Sequence, residues 1–137
     1  MKDEIRSLVE YRLQEAREAR EEAEILLGRD KYRGALNRAY YSLFYGALAL
    51  LASKQLAAVK HSGVISLVHR EFVKTGLIAP DVAKALDIAF DLRNKSDYRD
   101  FVTPEEARVR ELIKDAGTFI AAVEIAVAKI IDGSLQS

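Results

Sequence analysis

The chain has 137 residues, half of them hydrophobic and 31% charged, with 21 basic and 21 acidic side chains and a formal net charge of zero. That length suits one domain, the balance excludes disorder or a fibrous repeat, and neutrality gives no overall attraction to nucleic acid or membrane. There is no cysteine, so disulfides, thiolate metal sites and a cysteine nucleophile are excluded. The opening residues contain no basic leader with an apolar run, and no stretch approaches the ~20 apolar residues of a membrane span. The expectation is a cytoplasmic chain that does not cross a membrane.

The seven glycines and two prolines fall mainly where helices should stop or start, and they divide the chain into five helical blocks. The first is predicted over about residues 3–27. There Ile5, Leu8, Val9, Ala16, Ala19, Ala23, Leu26 and Leu27 recur at three- and four-residue steps, and Gly28 closes the block. The second, about 31–56, is apolar almost all round: Leu36, Tyr40, Leu43, Ala47 and Leu50 make one stripe, and Tyr41, Phe44, Leu48 and Ala52 another. Such a helix belongs at the centre. The third, about 62–74, is short and peripheral, with Val64 or Ile65, Val68 and Phe72 inward and Gly76 as its stop.

The fourth block opens on Pro80 and Asp81, a first-turn proline and an acid at the positive helix end. It carries Val82, Leu86, Ala89 and Phe90 on its core face and ends near Tyr98 or Arg99. The fifth starts with a capping pattern: Thr103, then Pro104 in the first turn and Glu106 three residues on. From there Val109, Leu112, Ile113, Ala116, Phe119, Ile120, Val123, Val127, Ile130 and Ile131 keep a helical period, giving a helix on the order of 40 Å. No segment alternates as a strand does, and no repeat or linker interrupts the pattern. The fold class expected is all-α, an up-and-down bundle of four to five helices in a single domain.

Charge is uneven along this neutral chain. Residues 31–70 hold Lys31, Arg33, Arg38, Lys54, Lys60 and Arg70 and no acidic side chain, whereas residues 1–30 and 71–137 each carry a net charge of −3. Either these cations answer acidic neighbours on the first and last helices, or they form a phosphate-facing patch.

His61 and His69 alone have an unperturbed pKa suited to proton transfer near neutrality. Neither has carboxylates at the spacing of a helical metal site, so no metal ligand set is proposed. His61 falls at the start of the third block, where Ser62 is placed to cap it. The densest polar cluster is Arg93-Asn94-Lys95-Ser96-Asp97-Tyr98-Arg99-Asp100. Arg93 follows Phe90 by three residues and Ala89 by four, so it continues the core-facing stripe. Two readings stand side by side. Arg93 pairs with Asp97 or with helix-end carbonyls, as buried charges do, or its planar fork reaches a cleft and holds a phosphate, with Asn94 and Tyr98 adding hydrogen bonds. Tyr32, Tyr40, Tyr41 and Tyr45 all fall on the second helix. They are core residues with hydroxyls at the rim, or one or two of them stack on a base or bond a ligand.

Four segments together resemble the HEPN domain family. They are Ala35-Leu36-Asn37-Arg38-Ala39-Tyr40-Tyr41-Ser42-Leu43-Phe44, the Lys60-His61-Ser62-Gly63 turn, Phe72-Val73-Lys74-Thr75-Gly76, and Arg93-Asn94-Lys95-Ser96-Asp97-Tyr98. The resemblance implies a helical bundle paired as a homodimer, often encoded beside a minimal nucleotidyltransferase as a toxin and antitoxin pair, and it implies no cofactor. Many members are metal-independent endoribonucleases marked by an Arg, an adjacent polar residue and, after about four to six intervening residues, a His. Arg93 and Asn94 match the first two; the positions for the His hold Tyr98, Arg99 and Asp100. A tyrosine with a pKa near 10 is a poor base at neutral pH, so Asp97, Tyr98 or His61 would have to take that role. The site residues implied are Arg93, Asn94, Asp97 and Tyr98, with His61 beside them, and Arg38, Tyr41, Lys60 and His61 for RNA or a nucleotide. Two functions remain open: a ribonuclease with an altered motif, and a non-catalytic module that binds a nucleotide or a nucleotidyltransferase partner.

Overall fold

A computed structural model of the chain describes residues 2–98 and 103–133, the side chains of 95–98 excepted. Five α-helices follow one another: α1 (Lys2–Gly28), α2 (Tyr32–Ser53), α3 (His61–Val68), α4 (Pro80–Tyr98) and α5 (Glu106–Ile131), with a π-turn at His69–Val73 between α3 and α4. The described residues are all-α, as the periodicity predicts.

Pairs of contacts fix the directions. Arg6 meets Asp132 and Arg17 meets Glu124, so α1 and α5 are antiparallel. Arg38 meets Glu22, and Leu26 packs on Gly34, so α1 and α2 are antiparallel too. Arg93 reaches Asn37 while Phe90 reaches Tyr40, which turns α4 against α2. The four long helices therefore run up, down, up and down, with α3 and the π-turn filling the crossing from α2 to α4.

Helix α2 is the hub and packs against α1, α3, α4 and α5. Its apolar girth is the cause: Leu36, Tyr40, Leu43, Ala47 and Leu50 are buried on one stripe, and Phe44 and Leu51 on another. At Gly46 α2 packs tightly on α5, since a Cβ there would stand 3.1 Å from Phe119 Cε2. All ten apolar positions predicted inward on α5 are buried, from Val109 to Ile131. On α1 the stripe is shifted: Leu8 is 45% exposed, and Leu13 takes a core position instead.

The ends of the elements depart from the sequence reading in five places. Thr103 and Pro104 do not enter α5. Glu105 is its N-cap with extended backbone and no side-chain cap, and the Glu106 carboxylate goes to Arg110 and the Tyr32 hydroxyl, each at 2.9 Å, instead of turning back toward Thr103. Those charged and hydroxyl donors compete with the capping arrangement and keep it from forming. Likewise α3 begins at His61 after Lys60, without a Ser62 cap. Helix α1 is closed by Asp30 in the left-handed region, not by Gly28. The amides of Lys31 and Asp30 bond the carbonyls of Leu26 and Leu27, a Schellman arrangement that satisfies the last orphan acceptors. Gln55 does the same for α2, which stops at Ser53 and not at residue 56. Finally, the third block is not one α-helix: after Val68 the bonding lengthens, and the Lys74 amide reaches the His69 carbonyl at 3.0 Å.

Candidate functional site

Asn37, Tyr40, Tyr41 and Phe44 lie at three- and four-residue steps and so share one face of α2. Onto this face α4 brings Arg93 and α3 brings His61. Arg93 Nε donates to Asn37 Oδ1 at 3.3 Å, and Nη2 donates to the Tyr41 hydroxyl at 3.4 Å. Its guanidinium carbon also sits 5.0 Å from the centre of the Tyr40 ring and 5.4 Å from that of Tyr41. A planar cation over two electron-rich faces is held without being neutralised by them, since cation–π attraction leaves the net charge in place.

His61 meets the same tyrosine. Its Nδ1 is 2.8 Å from the Tyr40 hydroxyl, and its ring centre is 4.1 Å from that of Phe44. Burial, and then the positive charge of Arg93, hold the imidazole below its ordinary pKa of 6.5, so it is neutral at pH 7. Tyr40 is wholly buried, and that burial pushes its hydroxyl up to about 12, against the opposing pull of Arg93. The result is a half-buried cation beside a neutral imidazole and a set of aromatic rings, an arrangement able to attract an anion and to stack on a flat ring.

The structure brings Arg93, Tyr41 and His61 together. Arg38 lies at the edge of the cluster, 5.7 Å from the centre of the Tyr41 ring, and it is also bonded to Glu22 at 2.8 Å. Lys60 is exposed next to His61, and Asn94 is half-buried next to Arg93. Asp97 and Tyr98 occupy the last turn of α4; their side chains lie outside the described residues, and so does the reading of an Arg93–Asp97 pair. His69 is elsewhere, with Nε2 at 2.9 Å from Asp87 Oδ2, tying the π-turn to α4.

Several cations of the acid-free stretch are engaged within the chain. Besides Arg38, Lys54 donates to the Glu71 carbonyl and lies over the Phe72 ring, and Arg70 meets Glu71. Of these three, Arg38 answers an acid on the first helix as the structural reading of the stretch has it, whereas Lys54 and Arg70 answer the carbonyl and the carboxylate of Glu71 in the π-turn, and Lys31 and Lys60 stay exposed. A cleft of about 560 Å³ opens away from Arg93, where Ser53, Lys54 and Gln55 meet Ile5, Thr75 and Leu77. Among the described residues no group of three or more His, Asp or Glu is gathered to hold a metal ion, and no helix is long and apolar enough to cross a membrane.

Asn37 escaped the sequence reading as a site residue, and Tyr40 entered it only as one of four tyrosines of which one or two would stack on a base or bond a ligand. The spacing of Asn37 and Tyr40 to Tyr41 and Phe44 was the available signal, but the same spacing describes any core stripe. Only the arrival of Arg93 from 56 residues away turns it into a polar site.

The HEPN domain model matches residues 9–126, a span that contains every residue of this cluster. The chain belongs to the HEPN domain family. A UPF0332 protein of Thermotoga maritima is 40% identical over 117 residues, covering 85% of this chain and 89% of its own length. A protein of Methanocaldococcus jannaschii named "Putative toxin MJ0605" is 36% identical over 132 residues, covering 96% and 94%. A UPF0332 protein of Archaeoglobus fulgidus is 30% identical over 121 residues, covering 88% and 96%. In this HEPN chain Arg93 faces the aromatic rings of α2, and the two residues flanking its guanidinium, Asn37 and Tyr41, come from the string that carried the family resemblance.

Proposed function

We propose that this HEPN protein is the toxin-like component of a toxin–antitoxin pair, cytoplasmic and homodimeric, and that it binds RNA or a nucleotide at the Arg93 cluster and cleaves RNA without a metal. The observation that carries the reading is the Arg93 guanidinium held over Tyr40 and Tyr41 with His61 at the same ring. The toxin name of the M. jannaschii relative supports the role.

Metal-independent cleavage of RNA sends a 2′-hydroxyl against the neighbouring phosphorus and expels the 5′-oxygen. Charge builds on the non-bridging oxygens, and a guanidinium fixed in place beforehand stabilises it. Asn94, Asp97 and Tyr98 follow Arg93 on the same helix, and together with His61 they are the groups available for positioning and proton transfer; Arg38, Tyr41, Lys60 and His61 serve the bound strand or nucleotide. One feature favours a second reading: Tyr98, Arg99 and Asp100 stand where the family hallmark has a histidine. On that reading the chain binds a nucleotide or a minimal nucleotidyltransferase and turns nothing over.

The test is incubation of a pool of structured and single-stranded RNA without metal, with the wild type and with Arg93→Ala. Cleavage by the wild type that is lost in a folded Arg93→Ala establishes the first reading. No cleavage by a folded wild-type dimer, together with nucleotide or partner binding, establishes the second.

A further inference from the structure

Among the described residues the Tyr40 hydroxyl has one polar partner, His61 Nδ1 at 2.8 Å, and Tyr40 is wholly inside the protein. Two arrangements of protons satisfy that distance. If Nδ1 carried the hydrogen, it would donate to the tyrosine oxygen, and the tyrosine's own O–H would be left in the interior with no acceptor. A buried hydroxyl without an acceptor is disfavoured, because it loses its bond to water and gains none inside the protein. If instead Tyr40 donates, both groups are satisfied by one hydrogen bond. The neutral ring then holds its proton on Nε2.

The surroundings hold this arrangement in place. Phe44 and Tyr40 pack on the imidazole, with ring centres 4.1 and 5.9 Å away, so the ring cannot turn over without breaking that packing. Arg93, over the same Tyr40 ring, opposes a second positive charge on His61. With Nδ1 turned inward onto a buried hydroxyl, Nε2 is the ring nitrogen of this half-buried residue that is left to meet a ligand.

We infer that Tyr40 is a positioning residue that fixes His61 as an Nε2–H donor, so that His61 and Arg93 together bind one phosphate group and His61 is not the base of the site. The inference rests on the reading of the Arg93 cluster as an anion site. A base needs a lone pair facing the substrate, and here the lone pair faces Tyr40. A phosphate oxygen, by contrast, accepts from an N–H and from a guanidinium at once.

Long-range proton–nitrogen correlation on protein labelled at histidine nitrogen tests this, with His69→Gln to assign the two rings and inorganic phosphate as the probe. The expected result near neutral pH is a single Nε2–H form of His61 whose Nε2 signal moves as phosphate is added, with the movement lost in Arg93→Ala. In Tyr40→Phe, folded by circular dichroism, both neutral forms of the ring should become populated. His61→Gln, which keeps a donor near the Nε2 position, should retain phosphate affinity within about threefold. His61→Asn, whose donor falls near Nδ1, should lose about tenfold or more, as expected for a lost hydrogen bond to a charged group. An Nδ1–H form in the wild type overturns the inference, and so does phosphate that leaves His61 unmoved or Gln and Asn variants of equal affinity. RNA cleavage is read separately. An uncleaved pool with the expected nitrogen signals removes the nuclease reading and leaves this one standing.

Discussion

Arg93 on α4 and Asn37 on α2 are 56 residues apart in the chain and 3.3 Å apart in the fold, joined from Nε to Oδ1. The bond is between a cation and a neutral amide, and the contact of Arg93 with the Tyr41 hydroxyl is likewise with a neutral group. Removing the cation therefore leaves these two partners polar and satisfiable by water, with no stranded charge between them. The loss of these contacts alone in Arg93→Ala is expected to lower stability by about 1–2 kcal/mol, from one or two hydrogen bonds and the cation–π contacts. Urea unfolding measures it. A loss above about 4 kcal/mol would reveal a buried counter-charge deprived of its partner, the behaviour of a structural ion pair.

Acid is expected to weaken the fold through His61. Burial, then the charge of Arg93, make its folded imidazole a poorer proton acceptor than the same ring in the unfolded chain. Below about pH 6.5 the unfolded chain takes up a proton that the folded chain still refuses. The stabilisation is complete above that pH and is lost as pH falls toward the folded value. Unfolding midpoints in urea at about pH 7.5 and pH 5.5 should show the drop, and His61→Gln should flatten it. An unchanged slope in the variant would assign the effect to other groups.

Alkali acts in the opposite direction through Tyr40. The folded hydroxyl keeps its proton up to about 12, against an ordinary value of 10.0, because ionising it would place a charge in the interior. The folded chain thus holds more protons than the unfolded one across that interval, and stability present below pH 10 falls as pH rises through it. Tyr32 is also raised to about 12, chiefly by its hydrogen bond to Glu106. The informative quantity is therefore the difference between the wild type and Tyr40→Phe, followed as phenolate absorbance with rising pH. The variant should lose one late-ionising tyrosine, and a loss from the early-ionising part of the curve instead would mean that Tyr40 ionises with the exposed phenols.

Two glycines on helices separate packing from propensity. Gly46→Ala places a methyl 3.1 Å from Phe119 Cε2 and 3.3 Å from Cδ2 on the facing helix. The cost of overpacking, about 1–3 kcal/mol, outweighs the ~1 kcal/mol gained by replacing Gly in a helix. At Gly28 nothing stands within 4 Å of such a methyl, and Gly28→Ala is expected to stabilise by up to about 1 kcal/mol. Thermal unfolding of the two variants should shift in opposite directions. If both were stabilised, Phe119 would be yielding to the new methyl.

The sequence by itself determined the helices and the inward face of most of them. Periodicity at three- and four-residue steps depends only on neighbours along the chain, which is why every apolar position predicted on α5 is buried and α2 is the hub. It also showed Arg93 on a core-facing stripe, a place where a guanidinium needs partners. What remained for the tertiary structure was the identity of those partners and the ends of the helices. Asn37 and Tyr40 looked like ordinary core spacing until α4 and α3 delivered Arg93 and His61 to them. The capping pattern at Thr103 failed for the same reason, because Glu106 found Tyr32 and Arg110. A local pattern competes with every group the fold brings near, and a charge-assisted hydrogen bond from another helix outweighs a cap made from residues close in sequence.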